Sequence, residues 1–365
     1  MGYLVERDRS DSNGLDAGSL GLSSNEENFF QSQEFRNVIE TIGWKTVFLE
    51  SRRHGCHASV LAYARPTVPF FDRVLRSYKV FYGPCVRPLG GELGCEVLDC
   101  LLDRLCAVMK KQGALFLDVR TPFPSLYGAE VFAKNGFVIS DFKGDYSVLI
   151  DLKKDLETLW KDMKRFARRN VKKAVEKGIE IKEVETLDDL HEVYKIYLET
   201  STRRGFDSLP YRFFEALWTQ LEPKGLVKFF IASWKKKSVA AILNTFYRGQ
   251  SIPHVACSLN RFWSLHPNHV LFWHSIKWSK EVAGSTIFNL YHLPSQRDQT
   301  QPIDFYTFKT CFGGRLIEEC ASYRRIISPI KFKVSEVLSK KLPKWCQPHS
   351  FVRTRMNGLT SVLSR

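Results

Sequence analysis

Three common active-site signatures are missing from the chain of 365 residues. It has no Walker-type phosphate loop, no Rossmann glycine fingerprint and no Gly-x-Ser-x-Gly nucleophile elbow. Their absence argues against a P-loop nucleotide hydrolase, a dinucleotide-dependent dehydrogenase and a hydrolase with a serine elbow of the usual kind.

Paired cysteines are missing as well, although the chain contains nine cysteines. The count is odd, no Cys-x-x-Cys pair occurs, and Cys100 and Cys106 lie inside an apolar run. This usage is typical of reduced, buried cysteine in a cytosolic protein. The segment His54-Gly55-Cys56-His57 has no second pair of ligands, so we interpret it as a loop and predict no metal site.

No apolar run approaches the length of a membrane span. Residues 1–28 are acidic and rich in Gly and Ser, with no apolar core, so they predict a disordered tail rather than a signal peptide. We therefore expect a cytoplasmic protein, a monomer, that can work at the inner membrane surface.

Acidic residues are scarce relative to basic ones. The formal net charge is +15 and the isoelectric point is about 9.4. Such a charge points to an anionic partner, which can be a nucleic acid, a phosphorylated substrate or an anionic membrane surface.

The order of helices and strands repeats along the chain. Alternating helix and strand patterns predict an α/β fold with mixed sheets, in two domains of similar order that span residues 29–146 and 147–326. The last strand, expected at 318–326, is assigned to the second domain. Residues 327–365 form a basic tail with eight Lys or Arg and one acid, Glu336. This tail can contact a membrane or RNA, or be a solvated extension.

A pair of basic helices follows residue 150. Within 161–177 only Asp162 and Glu176 offset eight basic residues. A stripe of cations can follow the phosphates of a nucleic acid with a salt-sensitive affinity. The alternative is a solvated helix face. The predicted RNA- or anion-binding residues are Lys161, Lys164, Arg165, Arg168, Arg169, Lys172 and Lys173.

The segment 305–314 combines aromatic residues, one lysine and two glycines. Phe305, Phe308 and Phe312 share one face of a short helix, which Gly313 and Gly314 are expected to end. Lys309 lies at the edge of this apolar face. It is either an ordinary surface lysine or an ammonium that stabilises a developing negative charge.

Two further segments are candidates for substrate contacts. The helix predicted to end near 203 carries Arg203, which can neutralise the helix dipole or reach a phosphate in a bidentate contact. The sequence Tyr82-Gly83-Pro84 ends a strand abruptly. This end either exposes strand backbone to a substrate or is a plain turn.

Taken together, these segments resemble the Fem family of aminoacyltransferases across residues 29–326. Each motif is short, but their order and spacing along one chain are fairly specific. The matching segments are Tyr82-Gly83-Pro84, 168–174, 197–206, Leu265-His266-Pro267-Asn268 and 308–314.

The resemblance implies two tandem GNAT-like acyltransferase domains. It further implies transfer of an aminoacyl group from aminoacyl-tRNA to an amino group of a phosphorylated cell-envelope precursor, without a cofactor. The resemblance implies that Lys309 stabilises the oxyanion of the transition state and that Phe308 shapes the same site. It also implies that Arg203 binds a phosphate of the precursor. Tyr82 and Tyr211 are further candidates for substrate binding.

Several departures keep alternatives open. The acetyl-CoA loop, [Gln/Arg]-x-x-Gly-x-[Gly/Ala], has only partial matches at 52–57 and 87–92, so a pantetheine cradle of the usual kind is not predicted. The family's long helical hairpin and its N-terminal lysine have no counterpart, and 289–294 differs from the family's acidic or glycine-rich turn. The alternatives are an acyltransferase that uses an acyl-CoA or acyl-carrier donor, and a non-catalytic RNA- or membrane-binding protein of the same fold.

Overall fold

The computed structural model describes residues 28–66, 76–87, 91–121, 129–139, 146–206, 208–293, 303–318 and 321–341. Within these ranges the chain forms two mixed sheets with helices around them. The predicted tail at 1–28 lies outside the described residues except for Asn28. The helices are α1 (Gln33–Thr41), α2 (Gly91–Lys111), α3 (Ala129–Lys134), α4 (Leu156–Asp162), α5 (Arg165–Glu176), α6 (Leu187–Arg204), α7 (Tyr211–Leu221), α8 (Pro267–Glu281), α9 (Ile303–Thr310) and α10 (Pro329–Lys341).

The first sheet runs in the order β1-β2-β3-β5-β14-β6, with β4 paired to β2. Its one parallel pair is β3 with β5, and its other pairs are antiparallel. Its strands are β1 (Lys45–Arg53), β2 (Cys56–Pro66), β3 (Arg76–Phe81), β4 (Cys85–Arg87), β5 (Ala114–Thr121), β6 (Val138–Ile139) and β14 (Ala321–Ile326).

The second sheet runs in the order β13-β7-β12-β11-β10-β9-β8. It too has a single parallel pair, β11 with β12, among antiparallel neighbours. Its strands are β7 (Tyr146–Asp151), β8 (Ile179–Glu183), β9 (Val227–Trp234), β10 (Lys237–Tyr247), β11 (Gln250–Ser258), β12 (Ile287–Leu293) and β13 (Arg315–Glu318).

The two sheets repeat one arrangement. In each, the parallel strands are joined through a long helix, α2 in the first sheet and α8 in the second. Antiparallel strands can be joined by a tight turn, but a parallel pair needs a crossover of this length. The predicted α/β fold with mixed sheets and a repeated order is therefore confirmed.

The last strand of the described chain, β14, belongs to the first sheet. We expected one strand at 318–326 in the second domain, but β13 pairs with β7 in the second sheet and β14 pairs with β5 and β6 in the first. Arg324 on β14 forms a bidentate ion pair with Asp118 on β5, at 2.6 and 2.7 Å. The assignment of this strand was wrong because a strand pattern shows burial, not which sheet supplies the partner.

The local signals that end and begin helices act as expected. The side chain of Ser32 accepts a hydrogen bond from the backbone N–H of Phe35 and caps α1, and Thr186 caps α6 in the same way through Asp189. After α9, Gly313 and Gly314 turn the chain with φ of +85° and +92°. A Cβ on Gly314 would lie 2.6 Å from the carbonyl oxygen of Leu149, so the turn requires glycine.

Hydrophobic residues form three clusters. One fills the first domain around α2, and another fills the space between the second sheet and helices α4, α5 and α8. The third joins the two halves, because it contains Phe30, Leu61 and Tyr82 together with Phe213 and Tyr291. The two sheets therefore share a buried boundary, and residues from both can contribute to one site.

Residues 329–341 of the predicted basic tail form α10, which packs on β5. The rest of that tail, 342–365, lies outside the described residues. None of the helices in the described ranges has the length and apolar character needed to cross a membrane.

Candidate functional site

A gap opens in the second sheet where its two parallel strands separate. Strands β11 and β12 pair at Gln250 with Ile287 and at Ser251 with Phe288. Beyond these positions the described strands continue to Ser258 and Leu293 without further pairing between them. In the first sheet the equivalent strands stay paired as far as Phe81. The second half therefore has an open strand edge, with backbone groups able to meet a ligand.

A bulge in β11 directs His254 toward this gap. The pairing of β10 with β11 skips from Leu243–Val255 to Asn244–Pro253, so His254 is the extra residue. Its ring lies parallel to that of Tyr291 on β12, at 6.4 Å between centroids. Burial lowers the pKa of His254 to about 4, so the imidazole is neutral at pH 7.

Lys309 reaches the same gap from α9. Its ammonium donates a hydrogen bond to the backbone carbonyl of Tyr291. It also lies 5.6 Å from the ring centroid of Tyr291 and 4.6 Å from that of Phe305. The charge of Lys309 is thus held between aromatic faces at the strand edge, where surrounding protein strengthens its field.

Arg204 places a second cation on Phe305. Its guanidinium carbon lies 5.8 Å from the centroid of that ring. Burial, and then the neighbouring charge of Arg203, lower the pKa of Arg204, although part of its side chain is exposed enough to meet a ligand from solvent. No carboxylate in the described part of the chain pairs with it, so Arg204 is available to an anion.

The first domain contributes aromatic residues to the same place. Tyr82 has a left-handed backbone, with φ of +52°, at the end of β3. Its ring lies 6.3 Å from that of Tyr291 and stacks on Phe30 at 5.5 Å. The structure therefore brings the predicted residues Tyr82 and Lys309 together around Tyr291.

Phe308 faces α8. Its ring contacts Phe272 at 5.0 Å and His269 at 5.1 Å between centroids. The imidazole of His269 lies 3.2 Å from the amide nitrogen of Asn170 on α5, and burial followed by the charge of His266 lowers its pKa to about 4. Phe308 thus packs against α8 rather than against the ammonium of Lys309.

A basic recess of about 920 Å³ lies along α5. Its cations face solvent, and in the described part of the chain none of Arg165, Arg169, Lys172 and Lys173 is in an ion pair. The start of α5 is tied to the end of α9 by a backbone hydrogen bond of 2.9 Å from Lys164 to Cys311. The segment that carries Lys309 therefore contacts the N-terminal end of α5, where Arg165 lines one end of the recess.

The cations of α5 also lower the pKa of a histidine at the start of α8. Burial lowers the pKa of His266, and the charges of Lys177, Lys173 and Arg169 lower it further. His266 is the residue before Pro267, the first residue of α8. A helix N-terminus favours negative charge, so these cations and the helix together suit a phosphate group near the open end of the β11–β12 gap.

Residues 161–292 match the acetyltransferase (GNAT) domain family. The match begins within α4 and ends within β12, so it includes α5, the bulged strand and α8. It covers the GNAT domain that holds the gap between β11 and β12. No curated protein matches the chain.

Several solved structures share the fold over most of the chain. The crystal structure of FemX is 14% identical, with a TM-score of 0.67, over 87% of this chain and 97% of that one. The C-terminal domain of a putative lysylphosphatidylglycerol synthetase from Agrobacterium fabrum is 14% identical, with a TM-score of 0.54, over 84% and 91%. A tandem GNAT protein from the clavulanic acid biosynthesis pathway is 11% identical, with a TM-score of 0.54, over 78% and 84%.

These likenesses establish the fold as two tandem GNAT-like domains, as the sequence predicts. They leave the exact domain limits and the site residues as predictions.

Some predicted site residues have structural partners. Arg203 donates to the carbonyl of Ser258 at 2.9 Å, and its guanidinium carbon lies 5.0 Å from the ring centroid of Trp263. Lys161 pairs with Glu157 one turn away at 2.6 Å. These contacts occupy part of each side chain, so Arg203 holds the loop before α8 whether or not it also meets a phosphate.

Tyr211 lies apart from the other candidates. Its ring stacks on His191 at 4.4 Å and contacts Tyr194 at 5.3 Å. These positions on α6 precede Arg204 by ten residues or more, which is roughly 15 Å of helix. Among the described contacts, none joins Tyr211 to Lys309, Tyr291 or His254, and its substrate role stays a prediction.

Sequence reasoning missed three residues of the site. Arg204 is the neighbour of the predicted residue Arg203. His254 carries no local signal except the proline before it, and His269 directly follows the motif 265–268. The one available hint was Pro253, since proline in a central strand points to a bulge.

Arg168 is expected to stabilise the protein rather than bind a ligand. It donates to the carbonyls of Lys161 at 2.6 Å and Met163 at 2.5 Å, which lie at the end of α4. We expect Arg168→Ala to lower the free energy of unfolding by about 1 kcal/mol, because these carbonyls lose their donor. Chemical denaturation measures this, with exposed Arg169→Ala as the control. A larger loss for Arg169→Ala than for Arg168→Ala would contradict the assignment.

His254 is expected to make stability depend on pH. Its pKa is about 4 in the folded protein and about 6.5 when unfolded. The unfolded chain therefore binds the proton first, and stability is full above pH 6.5 and falls as pH drops toward 4. The loss is on the order of 2 kcal/mol.

Denaturation curves at several pH values, for wild type and His254→Gln, measure this contribution. The variant is expected to lose less stability than the wild type between pH 6.5 and 4. The same substitution at exposed His191 serves as the control. An unchanged pH dependence in His254→Gln would show that His254 does not cause the loss.

Proposed function

We propose that this protein transfers an aminoacyl group from aminoacyl-tRNA to an amino group of a phosphorylated cell-envelope precursor. The observation that carries the proposal is the contact between the N-terminal end of α5, the helix that bears the basic recess, and the segment that carries Lys309. The backbone of Lys164 is bonded to Cys311, which lies two residues after Lys309 and belongs to the same segment. A polyanionic donor bound along α5 would thus be next to the cation at the strand gap.

The reaction is attack of a neutral amine on the ester carbonyl of the donor. A C–N bond forms, the carbonyl oxygen becomes negative, and the C–O bond to the ribose of the tRNA then breaks. The amine gives up a proton and the ribose oxygen receives one. Lys309 would stabilise the oxyanion, since the Tyr291 carbonyl and the Phe305 ring fix its position.

The acceptor would enter from the side of Arg204. This guanidinium and Lys309 both lie against Phe305, and Arg204 has no carboxylate partner in the described ranges. An arginine binds phosphate through two parallel hydrogen bonds. We therefore place a phosphate of the precursor on Arg204 rather than on Arg203, whose guanidinium is engaged with Ser258 and Trp263.

One observation favours a second candidate donor. The sequence of 161–292 matches an acetyltransferase domain, a name that suggests acetyl-CoA. The incomplete CoA loop weighs against it, whereas the open basic recess suits a long polyanion better than a single cofactor.

A comparison of donors tests the proposal. The full chain is incubated with a cell extract as acceptor source, together with either tRNA charged with labelled amino acids or labelled acetyl-CoA. We expect label from the charged tRNA to enter an amide that survives mild base, which hydrolyses the ester of the donor. Transfer from acetyl-CoA alone would establish the second candidate and overturn the first.

A further inference from the structure

The outer face of α10 is apolar and exposed. Ile330, Val334 and Val337 are 78%, 48% and 49% exposed. Their spacing of four and three residues puts them on one face of the helix. A stripe of this kind on a surface helix usually marks a place where something docks.

The inner face of α10 holds the helix without help from this stripe. Phe332 packs edge-on against Phe116 of β5, with 5.8 Å between ring centroids. Ser335 is fully buried and its hydroxyl donates to the carbonyl of Phe332 at 2.7 Å. Phe332 and Ser335 thus attach α10 to the first domain.

Lysines border the apolar stripe. Lys331 and Lys333 fall on its two sides, and the ammonium of Lys331 lies over Gly113, at the end of α2. The last turn of α2 adds exposed Lys110 and Lys111. An apolar helix face with lysines along its borders is the pattern of a helix that lies in the surface of an anionic membrane.

The sequence beyond the described chain continues this charge pattern. Residues 342–365 contain Lys344, Arg353, Arg355 and Arg365 but no Asp or Glu. A soluble protein partner would need a matching apolar and acidic surface, whereas an anionic bilayer offers both properties to any such helix. We propose that α10 binds the surface of an anionic lipid bilayer, with Ile330, Val334 and Val337 inserted and the lysines facing the headgroups.

This proposal rests on α10 alone and does not depend on the donor or the acceptor of the transfer reaction. It would place the first domain against the membrane and leave the gap between β11 and β12, in the second domain, to its own substrates.

Vesicle cosedimentation of the full chain tests the proposal. We expect binding to phosphatidylcholine vesicles that contain phosphatidylglycerol, and much weaker binding to phosphatidylcholine alone or at high salt. Ile330→Ser with Val334→Ser is expected to weaken binding about tenfold or more, because two apolar side chains no longer insert. Lys331→Gln with Lys333→Gln is expected to weaken it by a similar factor and to reduce its salt dependence.

A matched control removes exposed apolar side chains elsewhere. Leu187→Ser with Val282→Ser changes two residues that are 47% and 65% exposed in the second domain, and it is expected to bind vesicles like the wild type. Thermal melting curves check that each variant is folded, as the exposed position of the changed side chains predicts.

Three results would overturn the proposal. The first is absence of vesicle binding by the wild type, and the second is equal binding to neutral and anionic vesicles. The third is a dimer, seen by sedimentation, that dissociates in Ile330→Ser with Val334→Ser while vesicle binding is unchanged. That result would assign the stripe to a second copy of the chain.

Discussion

Replacing Lys309 with methionine is expected to lower the turnover of acyl transfer about a hundredfold or more, which is the usual cost of removing one oxyanion donor. Methionine keeps the length and apolar character of the side chain but removes the ammonium that lies between Tyr291 and Phe305. Single-turnover transfer from charged tRNA measures the chemical step directly. Binding of the tRNA should change little, because the basic recess is intact.

The control for this substitution is Lys237→Met, which removes an exposed lysine at the start of β10. It is expected to leave turnover unchanged. Circular dichroism and thermal melting show whether either variant has lost its fold. Near-normal turnover in a folded Lys309→Met protein would remove Lys309 from the mechanism and favour a non-catalytic role for the chain.

Neutralising the basic recess is expected to weaken tRNA binding on the order of a hundredfold at low salt. The triple variant Arg165→Gln, Arg169→Gln and Lys173→Gln removes three solvent-facing cations that line the recess. Each lost phosphate contact also reduces the slope of the logarithm of affinity against the logarithm of salt concentration, by about 0.7–0.9. Filter binding at several salt concentrations gives both quantities.

A matched triple variant separates the recess from the overall charge. Lys235→Gln, Lys236→Gln and Lys237→Gln remove the same net charge from the turn between β9 and β10. This variant is expected to retain most of its affinity and its salt slope. Equal losses in the two variants would mean that RNA is attracted by the total charge of +15 and not by α5.

Local features of the fold can be predicted from the sequence because they depend on neighbours along the chain. The N-caps at Ser32 and Thr186 and the turn at Gly313 and Gly314 each follow from the chemistry of one or two residues. The exchange of β14 into the first sheet could not be predicted. It depends on a partner, Asp118, that lies about two hundred residues away from Arg324.

The same distinction applies to the site. Lys309 stands out in the sequence because aromatic residues and glycines surround it. The gap between β11 and β12 is a property of strand pairing, so the carbonyl of Tyr291 could not be predicted as part of the site. Pro253 hints at a bulge but not at the position of His254 beside the gap. The sequence also does not show which of Arg203 and Arg204 faces the ring of Phe305. Successive residues of a helix point about 100° apart, and only the structure shows which one faces Phe305.

The central claim is that Lys309 serves transfer from aminoacyl-tRNA. Its most direct test is the donor comparison performed with wild type and Lys309→Met side by side. We predict that amino acid label moves from tRNA to an acceptor amine with the wild type, and about a hundredfold more slowly with the variant. Transfer from acetyl-CoA only, or equal rates for the two proteins, would contradict this account.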